Sequence, residues 1–445
     1  MWYPDIRLTR TFRLAFMSTL IASFFVISPI LILYTAGYRF DFETLQVKKT
    51  GVITIDVEPT DAHITLNNTL LQKSVPIRLA NRAPGTYALH IERAGYLPWS
   101  KTVQVESTHT TYVTDLFLFL DVLPTFEVDL SQTIEASYSP DGRYVAIVDI
   151  SDTDTLLYEV ALYDIRSETT SIIWRGNASE NPVLTWSRHA PLLAIAVHDK
   201  AQTATIETID ARTPDTTDTY TLEAFTHTPY VQWHEDGEAI LYVQESTDII
   251  SLSNESKKVL RSVTSSVWFV DSANDVWSIA DTSIWKNDAL IHRLSDTIDI
   301  TAILDTRASH IFAQDKENSY IIWLDSGNIT QVAAINAFPR TYGKSWSTWI
   351  LWSEWEVIEL LESGDTILLT RTNKPLNGVS ASAKHNTLFF SFDESITSFH
   401  PGYRTTNVLF EGNTPISSVA TDQDGEYILF ETSINGRRGV YRRAL

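Results

Sequence analysis

The chain has 445 residues, 44% of them hydrophobic and 20% charged, which fits two to four globular domains and argues against disorder over most of the length or a polytopic membrane protein. Zero cysteine excludes disulfides, thiolate metal ligands and a cysteine nucleophile. A net charge of −21 argues against binding along a nucleic-acid backbone, so no nucleic-acid partner is expected. Plentiful Thr, Ser, Val, Ile and aromatic residues lean the chain towards β structure.

Residues 14–36, LAFMSTLIASFFVISPILILYTA, form a 23-residue run without a charge. As a helix this run would be about 35 Å long, enough to cross a hydrocarbon core of about 30 Å. Pro29 lies inside it, which membrane helices tolerate. Arg7, Arg10 and Arg13 precede it against a single Asp5, whereas Arg39 is followed by Asp41 and Glu43. The positive-inside rule makes 1–13 a cytoplasmic stub, 14–36 a transmembrane helix, and everything beyond extracytoplasmic. The topology-determining residues are then Arg7, Arg10 and Arg13, and the bilayer is the first expected partner. A cleaved signal peptide and a buried soluble helix are the alternatives. The run exceeds the usual 7–15 apolar residues of a signal peptide and no small-x-small site follows it.

After a linker at 37–49, residues 50–120 alternate as six short strands with no helical stretch. Gly51–Val57 ends at Pro59, and Ala62–Leu66 ends at the turn signal Asn67-Asn68. Ile77–Leu79, Tyr87–Ile91, Lys101–Val105 and Tyr112–Leu118 follow, so the segment reads as a small β-sandwich. Pro59 and Ala62 with Thr60 and Asp61 between them, then Val75-Pro76, Pro84-Gly85-Thr86-Tyr87 and Gly95-Tyr96, resemble the motif series of the PEGA domain family. Thr60 and Asp61 replace that family's Glu and Gly, and Asp is the natural substitute where positive φ is needed. The stretch Leu33–Asp41 looks like the membrane-exit segment of single-pass bacterial proteins carrying this domain. The resemblance implies an envelope or surface protein whose sandwich has no chemistry of its own.

From 121 to 445 one pattern recurs: an alternating strand, a tight polar turn, and a second apolar strand. The clearest turns are Asp141-Gly142, Arg188-His189, Asp236-Gly237 and Asp424-Gly425, and Asp-Gly favours the positive φ of tight hairpins. Weaker copies surround Asn274-Asp275, Ala308-Ser309 and His385-Asn386, and a unit at Trp349–Thr372 lacks a clear turn. Eight units near 40 residues each predict four-stranded blades of a β-propeller, or seven blades if the compact Val267–Leu294 unit is incomplete. The last unit is one strand short, and Thr125–Leu130 is the candidate to complete it, with Phe126 and Val128 buried and Glu127 and Asp129 towards water or a turn. Ser139-Pro140-Asp141-Gly142-Arg143-Tyr144 resembles TolB-like and WD40-like propellers. Glu356–Arg371 looks like the outer half-blade of the propeller that follows PEGA domains. The fold class is therefore mainly β: an N-terminal transmembrane helix, a PEGA-like sandwich and a propeller.

No Gly-x-Ser-x-Gly, His-Glu-x-x-His or phosphate-binding glycine loop is present, so no catalytic, cofactor or metal residue is assigned. Asp149, Asp152 and Asp154, and Asp422 with Asp424, are close in sequence but lack the Gly and Glu of a calcium loop. The eleven histidines are scattered and read as structural or surface residues. Trp346, Trp349, Trp352 and Trp355 recur every three residues; they are either propeller core or a candidate aromatic binding cluster. The leading functional expectation is a non-enzymatic, membrane-anchored scaffold of the cell envelope whose propeller binds a protein partner. A cell-wall or glycan-binding protein and an enzyme of unrecognised type are the alternatives.

Overall fold

The computed structural model describes residues 10–35, 38–41, 46–152, 156–199, 202–223, 225–254, 256–294, 298–342, 346–382 and 384–445. Arg7, Ala36, Glu43 and Asp154 lie outside the described residues, and so do residues 343–345. The chain divides into two compact units, 1–121 and 122–445.

In the first unit one helix among the described residues spans Arg10–Thr35, and none of its residues is buried. Its length and composition suit a membrane span and equally a signal sequence. The stretch expected as a linker holds a two-stranded hairpin, Tyr38–Asp41 with Gln46–Lys49. The sandwich follows. Gly51–Glu58 pairs antiparallel with Ile77–Arg82 and parallel with Thr110–Phe117. The facing sheet orders Thr69–Leu70, His63–Leu66, Gly85–Glu92 and Trp99–Val105. Every second side chain of the first strand is buried, so Ile53, Ile55 and Val57 join the apolar core, as Ile64, Leu89 and Ile91 of the facing sheet do. A seventh strand, Thr69–Leu70, was not expected; it forms because Asn67 and Asn68 both adopt positive φ and reverse the chain tightly. Asp61, by contrast, does not take the positive φ expected of it. The turn closes through the Ala62 N–H to the Pro59 carbonyl, and the Asp61 carboxylate pairs with Arg93 at 2.7 Å.

The second unit is a succession of antiparallel four-stranded sheets. Among the described residues there are eight, at 133–177, 183–223, 231–262, 267–293, 302–332, 336–371, 378–411 and 419–444, the last completed by Thr125–Asp129. The compact unit at 267–293 has its four strands. The unit placed at Trp349–Thr372 in fact begins earlier, with inner strand Asn336–Tyr342, which Pro339 and Arg340 hide from an alternation search.

Each sheet packs face to face on the next. The second strand of a blade is therefore covered on both faces, which is why Leu192–His198 is buried throughout. Leu193, Ile195 and Val197 point into the layer shared with the first blade, while Leu192, Ala194 and Ala196 point into the layer shared with the third. The layers continue around the ring until Val145 and Ile147 of the first blade meet Leu429 and Val440 of the last, with Leu130 beside them. The turn glycines contribute to this stacking. Gly142 sits at φ 67, and a Cβ there would meet the Asp422 backbone of the preceding blade at 2.5 Å.

Outer strands face water on one side and carry a shared irregularity. In the first, third, fourth, sixth and seventh blades the register shifts in the pairing with the outermost strand. Two adjacent apolar residues follow from it: Ile172, Val259, Leu368 and Val408 are exposed, while Ile173, Leu260, Leu369 and Leu409 turn inward. Such bulges twist an edge strand and discourage pairing with other chains.

The same shift lies between Phe126 and Val128 in the strand that closes the ring. It reverses one expectation. Phe126 and Val128 are half-buried, with the Phe126 ring edge-on to Tyr441 at 5.4 Å, but Glu127 does not face water. The bulge turns its carboxylate inward to 4% exposure, where it pairs with Arg442 Nε at 2.9 Å and accepts the Tyr163 hydroxyl at 3.0 Å.

Candidate functional site

The inner strands surround a central channel, and two places on it concentrate polar chemistry. At the end of the channel formed by the turns after the inner strands, Arg188 reaches across from the second blade. Its guanidinium donates to the Leu304 carbonyl of the fifth blade at 2.9 Å and lies 4.9 Å from the Trp349 ring centroid of the sixth. Glu235, from the corresponding turn of the third blade, approaches it at 4.0 Å. Glu235 also accepts the Ser272 N–H at 3.0 Å. Burial first, and then the negative charge of Asp305, push the Glu235 carboxyl up to about 7, against the opposing pull of Arg188.

Asp305 is buried and fully engaged. One oxygen accepts the Trp349 indole N–H at 2.8 Å and the Arg307 guanidinium at 2.8 Å, and the other accepts the Thr306 N–H at 2.8 Å. Five blades, the second to the sixth, are thus tied together across the channel. A cavity of about 380 Å³ lies beside it, lined by Tyr138, Arg188, Phe338, Ser380 and Thr421 among others.

The opposite end is built from the turns between the second and third strands and from the connections between blades. There, residues of the fifth to eighth blades enclose a larger cleft of about 670 Å³. Ile335, Leu376 and the half-buried Trp352 supply its apolar wall, and Asn336, Asn377, Glu317 and Glu354 its polar one. The Asn377 side-chain amide donates to Asp393 at 2.9 Å and to the Ile416 carbonyl at 3.1 Å, which holds it in place. Glu317 and Glu354 are exposed and form no ion pair among the described residues.

The four tryptophans singled out in the sequence do not converge. Strand Trp346–Trp352 has a period of two, so a spacing of three sends Trp349 and Trp352 to opposite faces. Trp349 is buried between the fifth and sixth blades, 5.1 Å from the Phe312 ring centroid. Trp352 packs between the sixth and seventh blades and borders the large cleft. Trp355, 48% exposed, stands in the turn beyond, and the side chain of Trp346 is outside the described set.

The aspartates are occupied separately: Asp149 accepts the Thr133 hydroxyl, Asp422 accepts the N–H groups of Glu426 and Tyr427, and Asp424 pairs with Arg166 at 2.8 Å. Among the described residues no three histidine or acidic side chains gather as a metal site. Buried histidines serve the frame, as in His385 with the Gly425 carbonyl at 2.7 Å and His198 with Ser179 and the Phe225 carbonyl. Arg10 and Arg13 lie in the first turns of the helix.

Arg188, Glu235 and Asp305 were missed because they are scattered over three repeats. A usable signal existed: Trp186-Ser187-Arg188 and Trp233-His234-Glu235 put opposite charges at one repeat position, just past the inner strand.

Residues 50–117 match the PEGA domain family model. No curated protein matches the sequence. Among solved structures, the chain is similar to the C-terminal WD40 domain of Sif2, at 12% identity and a TM-score of 0.49 over 73% of this chain and 98% of that one. It is also similar to the β-propeller domain of Myceliophteria thermophila Cps50 (Swd1), at 11% identity and a TM-score of 0.43 over 72% and 98%. At such identities the likeness concerns fold alone. With the strand pairing described above, the chain combines one N-terminal apolar helix, a PEGA domain at 50–117 and a WD40-like β-propeller.

Proposed function

We propose that this chain is a membrane-anchored scaffold of the bacterial cell envelope that acts by binding a protein partner on its propeller and not by catalysis. The observation that carries the reading is the contrast between the two ends of the channel. At one end Arg188, Glu235, Asp305 and Arg307 are spent on one another, while at the other a cleft of about 670 Å³ holds two carboxylates with no ion pair among the described residues. A ring closed by Thr125–Asp129 on the last blade is a rigid support for such a surface. The PEGA domain acts as a spacer, and the helix at Arg10–Thr35 acts as the anchor, with Arg7, Arg10 and Arg13 holding the N-terminus in the cytoplasm.

Photo-crosslinking residues installed at Ser353 and Ser417, in the full chain expressed in its own membranes, should trap a discrete protein partner, whereas the same residue at Arg212 should not. Failure to trap any protein overturns the scaffold reading. Protease added to spheroplasts should digest everything beyond residue 36. Complete protection of the propeller overturns the orientation.

A further inference from the structure

We infer that the cleft between the fifth and eighth blades receives an extended peptide segment carrying a lysine or arginine between aliphatic residues. This deepens the scaffold reading and rests on it. Three features converge. The volume, about 670 Å³, falls within the range of about 300–1,000 Å³ usual for ligand clefts and leaves room for several side chains. Ile335 is exposed at its edge and Leu376 is buried beneath it, giving aliphatic side chains a surface to cover.

The charged groups are of one sign. Glu317 and Glu354 stand on two different blades, and among the described residues no lysine, arginine or histidine lines the cleft; Lys316 and Lys374, nearby in the chain, are not among its lining residues. Trp352 lines the same cleft, and an aromatic ring together with carboxylates is a combination that holds an ammonium or guanidinium group. A neutral sugar fits less well. An extended glycan-binding platform would need further exposed rings, and the strand's alternation removes Trp349 to the other side.

The test titrates the full chain in detergent with an acetylated, amidated Leu-Lys-Leu-Arg-Leu peptide by calorimetry, alongside a Leu-Glu-Leu-Gln-Leu peptide and a neutral chito-oligosaccharide. Binding of the cationic peptide alone, weakened by added salt, is expected. Glu317→Gln with Glu354→Gln should weaken it about fivefold or more, as loss of two exposed ion pairs would. Trp352→Leu, which keeps an apolar side chain on the blade interface, should weaken it further. Unchanged affinity in the double glutamine variant, equal binding of the acidic peptide, or binding of the oligosaccharide instead overturns the proposal. If peptide binding fails while the crosslinkers at Ser353 and Ser417 still trap a partner, the cleft assignment falls alone and the scaffold reading stands.

Discussion

Replacing Glu127 with alanine tests how the ring is closed. The carboxylate is 4% exposed and satisfies two groups of other strands: Arg442 at 2.9 Å in the last blade and the Tyr163 hydroxyl at 3.0 Å in the first. Removal leaves a guanidinium that is only 31% exposed without its anion, and a phenol without its acceptor. Breaking a well-buried pair costs about 3–5 kcal/mol; partial exposure of Arg442 reduces this to about 2–4 kcal/mol. At about 2.1 cal/mol/K per residue, a propeller of about 320 residues has an unfolding entropy near 0.7 kcal/mol/K, so Tm should fall by about 3–6 °C. Tryptophan fluorescence is a suitable probe, since all of the tryptophans except Trp2 and Trp99 belong to the propeller. Tyr163→Phe removes one neutral-to-charged hydrogen bond and should lower Tm by about 2–4 °C. Arg442→Ala combined with Glu127→Ala should cost less than the two single losses together, because each strands the other's partner. A shift below about 1 °C for Glu127→Ala, or strict additivity in the double variant, refutes the latch.

Three further outcomes follow from the geometry. The Glu235 carboxyl, pushed up to about 7 from an ordinary 4.5, keeps its proton in the folded state across a window where the unfolded chain has lost it. Stability should therefore fall as pH rises from about 4.5 to 7, and Glu235→Gln should flatten that slope in melts across the window; an unchanged slope counts against the burial argument. Gly425 and Gly436 both have positive φ, but a Cβ on Gly425 would meet His385 Nε2 at 2.9 Å, whereas nothing lies near Gly436. Gly436→Ala should cost about 1 kcal/mol and Gly425→Ala clearly more in denaturant titration; equal costs would mean that the neighbouring blade yields freely. Trp349→Phe deprives buried Asp305 of the indole N–H and should destabilise by about 2 kcal/mol, while exposed Trp355→Phe should stay within about 0.5 kcal/mol.

Local chemistry made much of the architecture readable. A long uncharged run, alternation in strands such as Gly51–Glu58, and Asp-Gly turns at a spacing near 40 residues are short-range signals that depend on neighbours within one hairpin. They identified the apolar helix, the sandwich and the repeated blades. They failed where a residue's role depends on a distant strand. Asn336–Tyr342 breaks alternation yet completes a blade, because its register is dictated by Trp346–Trp352. Glu127 reads as an outward residue of an alternating strand, and only the bulge against Arg437–Ala444 turns it inward. Trp349 and Trp352 look equivalent in sequence, but the pleat sends one beneath Arg188 and the other to the cleft. The sites follow the same logic: Arg188, Glu235, Asp305 and Trp349 belong to four blades, as Glu317, Trp352 and Asn377 belong to three. The chain alone determined the repeating unit, since hairpins are set by local turns and side-chain periodicity. The channel network and the cleft were decided only by ring closure, which brings together side chains that no local interaction couples.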